Sequence, residues 1–274
     1  MISILLATYN GERFLAEQLK SILAQTNSDW HLWIEDDGST DNTLNIISEF
    51  AAANAEKITF ISTEQSRLGV TRRFESLLKA VESEYYMFAD QDDVWLPNKI
   101  DSVFELMSKA EENPSQPIII CTDLQVVDEQ LEMISPSYRQ YARLRPDLLE
   151  NLEQLAINNY VTGCTMLFND AAKQVSLPFG RFAQYHDAWI ALKTLLKGGK
   201  IIYSTKADIL YRQHTGNKVG AVRNVKSAKY ILSKLLHAPQ ILSAQHNNFK
   251  QAHEAMGISR IRFIKERIKY LMKR

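Results

Sequence analysis

Three aspartates lie within residues 90–93, directly after the apolar run YYMF of residues 85–88. Negative charges this close repel one another, and they remain ionised only when a positive group lies among them. Asp90 and Asp92 are one residue apart, so a bent segment can direct both carboxylates to one spot. Such oxygens suit Mg²⁺ or Mn²⁺, and Mg²⁺ is commonly held by one or two carboxylates together with substrate phosphates. The cluster therefore predicts a divalent cation and, through it, a bound diphosphate.

The same cluster also has a structural interpretation, since Asp93 could favour the positive N-terminal end of the following helix. The surrounding sequence favours the metal, because polar residues also follow two other predicted strands. These residues are Thr8-Tyr9-Asn10 after the first strand and Asp36-Asp37-Gly38-Ser39 after the second.

The first hundred residues alternate short apolar runs with helical patterns. The runs are ISILLAT, LWIED, ITFIS and YYMFA, and amphipathic segments separate them. This alternation predicts a parallel sheet with crossover helices, in which ligands bind outside the carboxyl ends of the strands. All three polar clusters lie at such ends, so we expect them to form one site.

The second half of the chain is less regular. PIIICTDLQVVD, from residue 117, predicts two short strands, and NYVTGCTMLFN, from residue 159, predicts another. YHDAWIALKTLLKGG predicts a helix that ends at Gly198-Gly199. KIIYST and ADILYRQH predict two further strands, and helical patterns dominate from about residue 225.

Composition and motifs exclude several classes of protein. The 274 residues are 45% hydrophobic, which is enough for one large domain with a core. No run approaches the ~20 apolar residues of a membrane span, and the N-terminus lacks the basic region of a signal peptide, which predicts a cytoplasmic protein. Cys121 and Cys164 lie in apolar runs and are expected to be buried free thiols. The dinucleotide fingerprint, the P-loop motif and the nucleophile elbow are all missing.

The net charge of zero conceals an asymmetry between the two ends of the chain. Residues 1–199 hold twenty-nine Asp/Glu against sixteen Lys/Arg, whereas residues 200–274 hold three against sixteen. An acidic body with a basic tail predicts a surface partner of negative charge, although we expect no nucleic-acid partner.

The last seventeen residues, 258–274, predict a basic amphipathic helix. They carry seven Lys/Arg and one Glu, and apolar residues fall on one helical face. That face is formed by Ile261, Ile264, Ile268 and Leu271. Two interpretations remain open: the helix lies on the anionic inner surface of a membrane, or its apolar face packs on the acidic body.

Five blocks of the sequence, in order, resemble glycosyltransferase family 2. They are ISILLATYNGERFLAEQLKSILAQT, LWIEDDGSTDNT, GV at 69–70, YYMFADQDDVWLPNKI and HDAW. The resemblance covers about residues 1–215, and DQDDVW and YRQHTGNKVG are most similar to the bacterial rhamnosyltransferase branch, which uses dTDP-L-rhamnose to build surface polysaccharides.

The resemblance implies an α/β protein with the A-type glycosyltransferase fold, a Rossmann-like, mostly parallel sheet flanked by helices, and a helical C-terminal tail. Residues 1–222 would form the glycosyltransferase domain, with a nucleotide-binding half at 1–100 and an acceptor-binding half at 101–222. Residues 223–274 would form the basic helical extension.

Nucleotide-sugar contacts are the first set of roles that the resemblance implies. Thr8 and Tyr9 would line the nucleotide base with Glu12 close to them, and Asp37 would hydrogen-bond the base. Tyr9 could equally be a packing residue.

Metal binding and catalysis form the second set of implied roles. Asp90 would lie by the ribose and the metal, with Gln91 beside it contacting the nucleotide sugar. Asp92, with Asp90 and the looser match His214, would ligate Mg²⁺ or Mn²⁺.

The resemblance implies that Asp187 is the catalytic base. His186 stands where the family usually has an acidic residue, which leaves its participation open. Independently, a transfer to a sugar hydroxyl needs a base, and an inverting single displacement needs only one carboxylate. The alternatives are that Asp187 merely favours a helix dipole and that His214 is an ordinary loop histidine.

The sequence therefore predicts an inverting, metal-dependent glycosyltransferase. It would move one sugar, L-rhamnose from dTDP-rhamnose, onto a glycan acceptor that a lipid carrier can anchor, in the synthesis of capsule, O-antigen or wall polysaccharide. The Q-x-x-R-W motif of polymerising members is missing after the HDAW block, which predicts single transfers. Alternatives are a UDP-galactose, UDP-glucose or UDP-N-acetylglucosamine donor, a nucleotidyltransferase, and a non-catalytic binding module.

Overall fold

One mixed sheet forms the centre of the protein in the computed structural model, which describes residues 1–62, 67–145, 151–215 and 238–273. Its strands are β1 (Ile2–Thr8), β2 (Trp30–Asp36), β3 (Ile58–Phe60), β4 (Tyr85–Ala89), β5 (Val94–Trp95), β6 (Ile118–Val127), β7 (Met133–Ser135), β8 (Leu167–Asn169) and β9 (Lys200–Arg212). They run in the order β3-β2-β1-β4-β8-β6-β9-β5, and β7 pairs with β6.

Six strands of this sheet share one direction. β1 is parallel to β2 and β4, β2 to β3, and β6 to β9. β8 is antiparallel to both β4 and β6, and so joins two parallel groups. The predicted mostly parallel sheet is confirmed.

Helices cover the sheet and continue beyond it. They are α1 (Leu15–Leu23), α2 (Thr43–Ala53), α3 (Val70–Ala80), α4 (Lys99–Ala110), α5 (Tyr138–Tyr141), α6 (Leu152–Ile157), α7 (Asp170–Ser176), α8 (His186–Leu196), α9 (Ala238–Met256) and α10 (Arg260–Lys273). Because successive strand residues point to opposite faces, Ile4 and Leu6 of β1 pack in the same cluster as Leu15 of α1, whereas Leu5 packs with Phe74 of α3.

The prediction is accurate for the first half and partly wrong for the second. β1 to β4 fall on the four predicted runs. The run from residue 117 is one ten-residue strand, β6, and the two runs after residue 200 are one thirteen-residue strand, β9. Register shifts near Asp123 let these strands stay paired while bending, so the polar interruptions in the sequence do not end them. Of the run from residue 159, only β8 is extended, because residues 163–165 form a 3₁₀ turn.

A buried ion cluster links α3 to the end of β2. Arg73 has no exposed surface, and its guanidinium donates to Glu35 at 3.1 Å and to Asp37 at 2.7 Å. Both carboxylates are also buried. Arg73 therefore neutralises two carboxylates inside the protein.

The C-terminal helix α10 packs on the rest of the protein through a face that the sequence did not predict. Phe263, Glu266 and Tyr270 are its buried residues, and Glu266 accepts hydrogen bonds from Asn151 and Gln154 beside and within α6. The apolar stripe stays exposed, so the expectation that this stripe packs on the acidic body is wrong. The exposed fractions are 82% for Ile261, 49% for Ile264, 52% for Ile268 and 53% for Leu271.

Among the residues described, no helix combines the length and apolarity that crossing a membrane requires. The tail segment from 216 to 237, which includes part of the block YRQHTGNKVG, lies outside the described residues.

The Arg73 cluster yields a stability prediction. Arg73→Ala removes the cation that pairs with two buried carboxylates, and breaking a buried pair in this way costs about 3–5 kcal/mol. We expect urea unfolding to show a loss of this size. Arg13→Ala is the matched control, because Arg13 is 58% exposed in its pair with Glu129 and such pairs contribute at most about 1 kcal/mol. Equal losses in the two variants would contradict the prediction.

Candidate active site

The carboxyl ends of β1, β2 and β4 meet at one edge of the sheet, as the sequence predicts. Thr8 at the end of β1 pairs with Asp36 of β2, and Leu6 pairs with Ala89 at the end of β4. The loops that follow these three strands therefore lie side by side, with the predicted site residues on them.

The loop after β1 is fixed by side chains from its neighbours. Gln91 accepts from the amide of Tyr9 at 2.8 Å and donates to its carbonyl at 3.1 Å. A Cβ on Gly11 would lie 2.5 Å from Oε1 of Gln91, so a larger residue there would displace Gln91 from these hydrogen bonds. The Tyr9 side chain is 48% exposed, which leaves its ring available to a flat ligand.

Three further predicted residues of the nucleotide set have structural partners. Thr8 donates its hydroxyl to Asp36 at 2.8 Å. Glu12 accepts the amide of Asn42 at 2.9 Å, just before α2. Gln91, the third, joins the loops after β1 and β4.

The carboxylates of Asp36 and Asp37 accept hydrogen bonds from different partners. Asp36 accepts the amides of Gly38 and Ser39 and thereby forms the turn. Asp37 accepts from Arg73 and from the amides of Leu68 and Gly69. Burial alone would raise the pKa of Asp37, but these hydrogen bonds hold it below its ordinary value. Asp37 is therefore a carboxylate that organises residues 68–69.

The aspartates after β4 lie in a crowded negative field. Burial, together with the charges of Asp92 and Asp187, raises the pKa of Asp90 to about 7. The pKa of Asp93, which has no exposed surface, is also raised by burial and by its two neighbours. Since Asp187 contributes to this field, the predicted base lies on the same side of the sheet as the predicted metal ligands.

Asp92 forms a direct pair with His214. Nε2 of His214 lies 2.8 Å from Oδ2 of Asp92, and its ring packs on Phe14 with centroids 4.9 Å apart. The histidine is 122 residues away in the chain, so the looser sequence match falls on a residue in contact with the cluster.

Arg212 supports this cluster from beneath, and it was not among the residues predicted from the sequence. Its Nε donates to the carbonyl of Asp92 at 2.9 Å, its backbone amide donates to Asp93 at 3.2 Å, and its guanidinium pairs with Glu17. An arginine inside the apolar run ADILYRQH was the available signal, because a charge at a buried strand position needs partners.

The donor types of Asp90, Asp92 and His214 suit a divalent cation, although the described ligand atoms that come within 4.8 Å of one another belong to Asp90, Asp93 and Cys164. Carboxylate oxygens suit Mg²⁺ and Mn²⁺, and an imidazole nitrogen is compatible with Mn²⁺. The raised pKa of Asp90 is the sign of an uncompensated negative site, which a cation would relieve. Bound there, the ion would supply positive charge to phosphate oxygens.

A second grouping of possible ligands lies deeper in the same region. Ligand atoms of Asp90, Asp93 and Cys164 come within 4.8 Å of one another. Burial raises the pKa of the Cys164 thiol well above its ordinary value, which disfavours the thiolate. A protonated thiol is a poor ligand for Mg²⁺ or Mn²⁺, so Cys164 forms part of the wall behind the oxygen ligands.

Asp187 lies in the first turn of α8, where two amides hold its carboxylate. Gly163 donates to Oδ2 at 3.0 Å and Ala188 donates to Oδ1 at 2.5 Å. Burial nevertheless raises the pKa of Asp187 to about 6. A carboxylate held rigidly with a raised pKa is suited to accept a proton near neutral pH.

His186 points away from solvent into an aromatic pocket. Its ring lies 4.3 Å from Phe74 and 4.7 Å from Phe88, and neither ring nitrogen has a hydrogen-bond partner among the described residues. Burial lowers its pKa to about 3, so the ring is neutral. Nε2 lies 2.5 Å from where a Cβ on Gly163 would be. His186 therefore packs beneath the residue that holds Asp187.

The fold and this site define a glycosyltransferase. The model of the family described as "Glycosyl transferase family 2" matches residues 3–176 of the chain. The chain is 30% identical to a dTDP-rhamnosyl transferase of Shigella flexneri, over 82% of this chain and 76% of that one. It is 30% identical to a UDP-Glc:α-D-GlcNAc-diphosphoundecaprenol β-1,3-glucosyltransferase of Escherichia coli, over 40% of this chain and 42% of that one.

A solved structure shares the fold across nearly the whole chain. The mannosyltransferase of Pyrobaculum calidifontis, in complex with GDP-Man and Mn²⁺, matches with a TM-score of 0.59 at 15% identity, over 99% of this chain and 79% of that one. The chain belongs to glycosyl transferase family 2 and is an enzyme that acts on nucleotide sugars, and the predicted A-type glycosyltransferase fold is confirmed.

The raised pKa of Asp187 yields a pH prediction. A base must be deprotonated, so kcat/KM should fall as the pH drops through about 6, and Asp187→Asn should lower transfer at least ~10²-fold while donor affinity is kept. Asp170→Asn is the control, because Asp170 occupies the first turn of α7 as Asp187 does in α8. Unchanged turnover in Asp187→Asn, or loss of donor affinity without loss of turnover, would exclude Asp187 as the base.

Proposed function

We propose that the enzyme is an inverting, metal-dependent glycosyltransferase that moves one L-rhamnose from dTDP-rhamnose onto an acceptor glycan of a bacterial surface polysaccharide. The observation that carries this proposal is the shared electrostatic field of Asp90, Asp92 and Asp187. The proximity of these carboxylates supports a site in which the donor diphosphate and the acceptor hydroxyl bind next to each other.

In the proposed reaction Asp187 accepts the proton of the acceptor hydroxyl. The hydroxyl oxygen forms a bond to the anomeric carbon from one face, while the bond from that carbon to the diphosphate oxygen breaks on the other face. One displacement inverts the configuration, and no enzyme nucleophile is required. Asp90, Asp92 and His214 would hold a divalent cation, which would supply positive charge to the leaving diphosphate.

Donor recognition in this proposal uses the loops after β1 and β2. The exposed ring of Tyr9 offers a stacking surface for the base, and Thr8, Glu12 and Gln91 fix the loop that carries it. Asp37 holds residues 68–69 against the same edge. The Shigella relative supports dTDP-rhamnose, and the Escherichia coli relative supports UDP-glucose as the second candidate donor.

A donor panel decides between these candidates. With Mn²⁺ present, a donor at about 100 times its dissociation constant should add about 2.7 kcal/mol of stability. We expect dTDP-rhamnose to raise the melting temperature most. In a separate activity assay, the same donor should give product. Stabilisation by UDP-glucose alone would favour the second candidate, and stabilisation by none of the nucleotide sugars would overturn the donor class.

The metal role is tested by Asp92→Asn. The amide keeps the hydrogen bond to His214 but removes one negative charge, so we expect the fold to persist and transfer to be abolished. EDTA should have the same effect on the unmodified enzyme. Asp29→Asn is the control, since Asp29 is 72% exposed. Full turnover by Asp92→Asn, or in excess EDTA, would be incompatible with the metal role.

We further propose that α10 attaches the enzyme to the inner surface of the cytoplasmic membrane. At about 100° per residue, the exposed stripe occupies roughly one quarter of the helix surface, opposite Phe263 and Tyr270, which face the protein. Basic residues flank the stripe on both sides. They are Arg260, Arg262, Lys265, Arg267, Lys269 and Lys273.

This arrangement suits a helix lying in the headgroup region of an anionic bilayer. The stripe would enter the apolar layer while the flanking cations meet lipid phosphates, each contributing about 1 kcal/mol. Because the buried face is separate from the exposed stripe, membrane attachment requires no detachment of α10 from α6. A lipid-linked acceptor, as in the name of the Escherichia coli relative, would be reached from this surface.

The membrane proposal is tested on phosphatidylglycerol vesicles. We expect salt-sensitive binding that is lost in the triple variant Ile261→Gln, Ile264→Gln, Ile268→Gln, with the melting temperature unchanged because these side chains are exposed. Met133→Gln with Ile134→Gln is the control, since both are exposed apolar residues on β7. Undiminished vesicle binding by the triple variant would contradict the proposal.

A further inference from the structure

A small cationic cavity lies beside the segment that leads into Asp187. It has a volume of about 200 Å³, which is roughly seven times the volume of about 30 Å³ that one water molecule occupies in liquid water. Its lining comes from the loop before α8 and from one face of α9, namely Arg181, Phe182, Ala183, Gln184, Asn247 and Lys250.

The backbone of this loop is held from two sides. Arg72 of α3 donates to the carbonyls of residues 179–181. From the other side, Glu254 of α9 accepts the amides of Arg181 and Phe182 through separate oxygens. A loop fixed this way presents its side chains in a set geometry, and that is the condition for a binding site that costs little ordering on association.

Two cations converge on one ring in this cavity. The guanidinium of Arg181 lies 5.6 Å from the centre of the Phe182 ring, and Nζ of Lys250 lies 5.2 Å from it. The aromatic ring attracts both heads and holds them at the cavity. The nearby carboxylate of Glu254 accepts the two loop amides, and the described contacts include no ion pair between it and Arg181 or Lys250.

We propose that this cavity binds an anionic group of the acceptor, and that this group is the diphosphate of a lipid-linked glycan. The proposal rests on the proposed function. Two cations beside a fixed loop favour a doubly charged group, since hydrogen bonds between charged partners are the strong ones. The loop enters α8 within a few residues of Asp187, so an acceptor anchored there would have its first sugars near the base.

A uronic acid in the acceptor would offer the same negative charge, and the experiment separates the two sources. Initial rates are measured with one glycan in three forms: on an alkyl diphosphate, on a neutral alkyl chain, and on a neutral chain with a uronic acid added. The variants are Arg181→Gln, Lys250→Gln and both together. Lys200→Gln with Lys206→Gln is the control, because these are exposed cations on β9.

We expect each single variant to raise KM for the diphosphate-linked acceptor about tenfold, with KM for the donor and the rate on the neutral acceptor unchanged. A rise confined to the uronic-acid form would overturn the diphosphate in favour of an acidic sugar. Equal effects on all three acceptors, or no effect on any, would overturn the anion site itself.

A second measurement keeps this result separate from the proposed function. Calorimetric titration of inorganic pyrophosphate, with dTDP and Mn²⁺ saturating the donor site, needs no turnover. Weaker binding by about tenfold in each variant, but not in the control, would support the cavity even if no donor in the panel were transferred. Binding that is equal in all variants would overturn the cavity while leaving the glycosyltransferase activity intact.

Discussion

The arrangement of the site depends on the contacts that the side chain of Arg212 makes. Three aspartates follow β4, and Arg212 holds the backbone of their loop, because its side chain donates to the Asp92 carbonyl and its amide donates to Asp93. The guanidinium of Arg212 contacts the Asp92 carbonyl and pairs with Glu17 of α1, and it also donates to the carbonyl of Glu129. One buried side chain thus ties the last strand to the acidic loop, to the first helix and to the turn after β6. His214 lies two residues beyond it, and is thereby brought to Asp92.

The local sequence was enough to predict the first half of the fold, because each strand and helix there follows from its own pattern of apolar residues. β1 to β4 and the helices between them follow from apolar periodicity, and their common edge follows from the rule for parallel strands. The continuity of β6 and β9 was missed because their polar residues, such as Asp123, are paired inside the protein. Asp123 accepts from Ser137 and from the Arg139 amide, and that contact is visible only in three dimensions.

The site shows the same division between what is local and what is not. The sequence predicted the residues that carry charge at strand ends, because their type and position are local properties. It could not predict their supports: Arg73 for Asp37, and Gly163 for Asp187. Each support comes from another element, and Gly163 is 24 residues away from its partner. His186 illustrates the limit most clearly, since a histidine beside a base suggests chemistry, whereas its ring is packed between Phe74 and Phe88.

The C-terminal helices connect these observations to the acceptor side of the enzyme. α9 fixes the loop before Asp187 through Glu254 and Gln251, because their side chains accept the loop's amides. α10 continues from α9 and uses one face to dock on α6, and this leaves the opposite face apolar and exposed. A helix that served only to stabilise its own domain would bury its most apolar face, since that burial supplies most of the stabilisation. In α10 the docking face instead includes the charged Glu266, while aliphatic side chains remain in water. That inversion supports the proposal that the exposed face, with its flanking cations, contacts an anionic membrane surface.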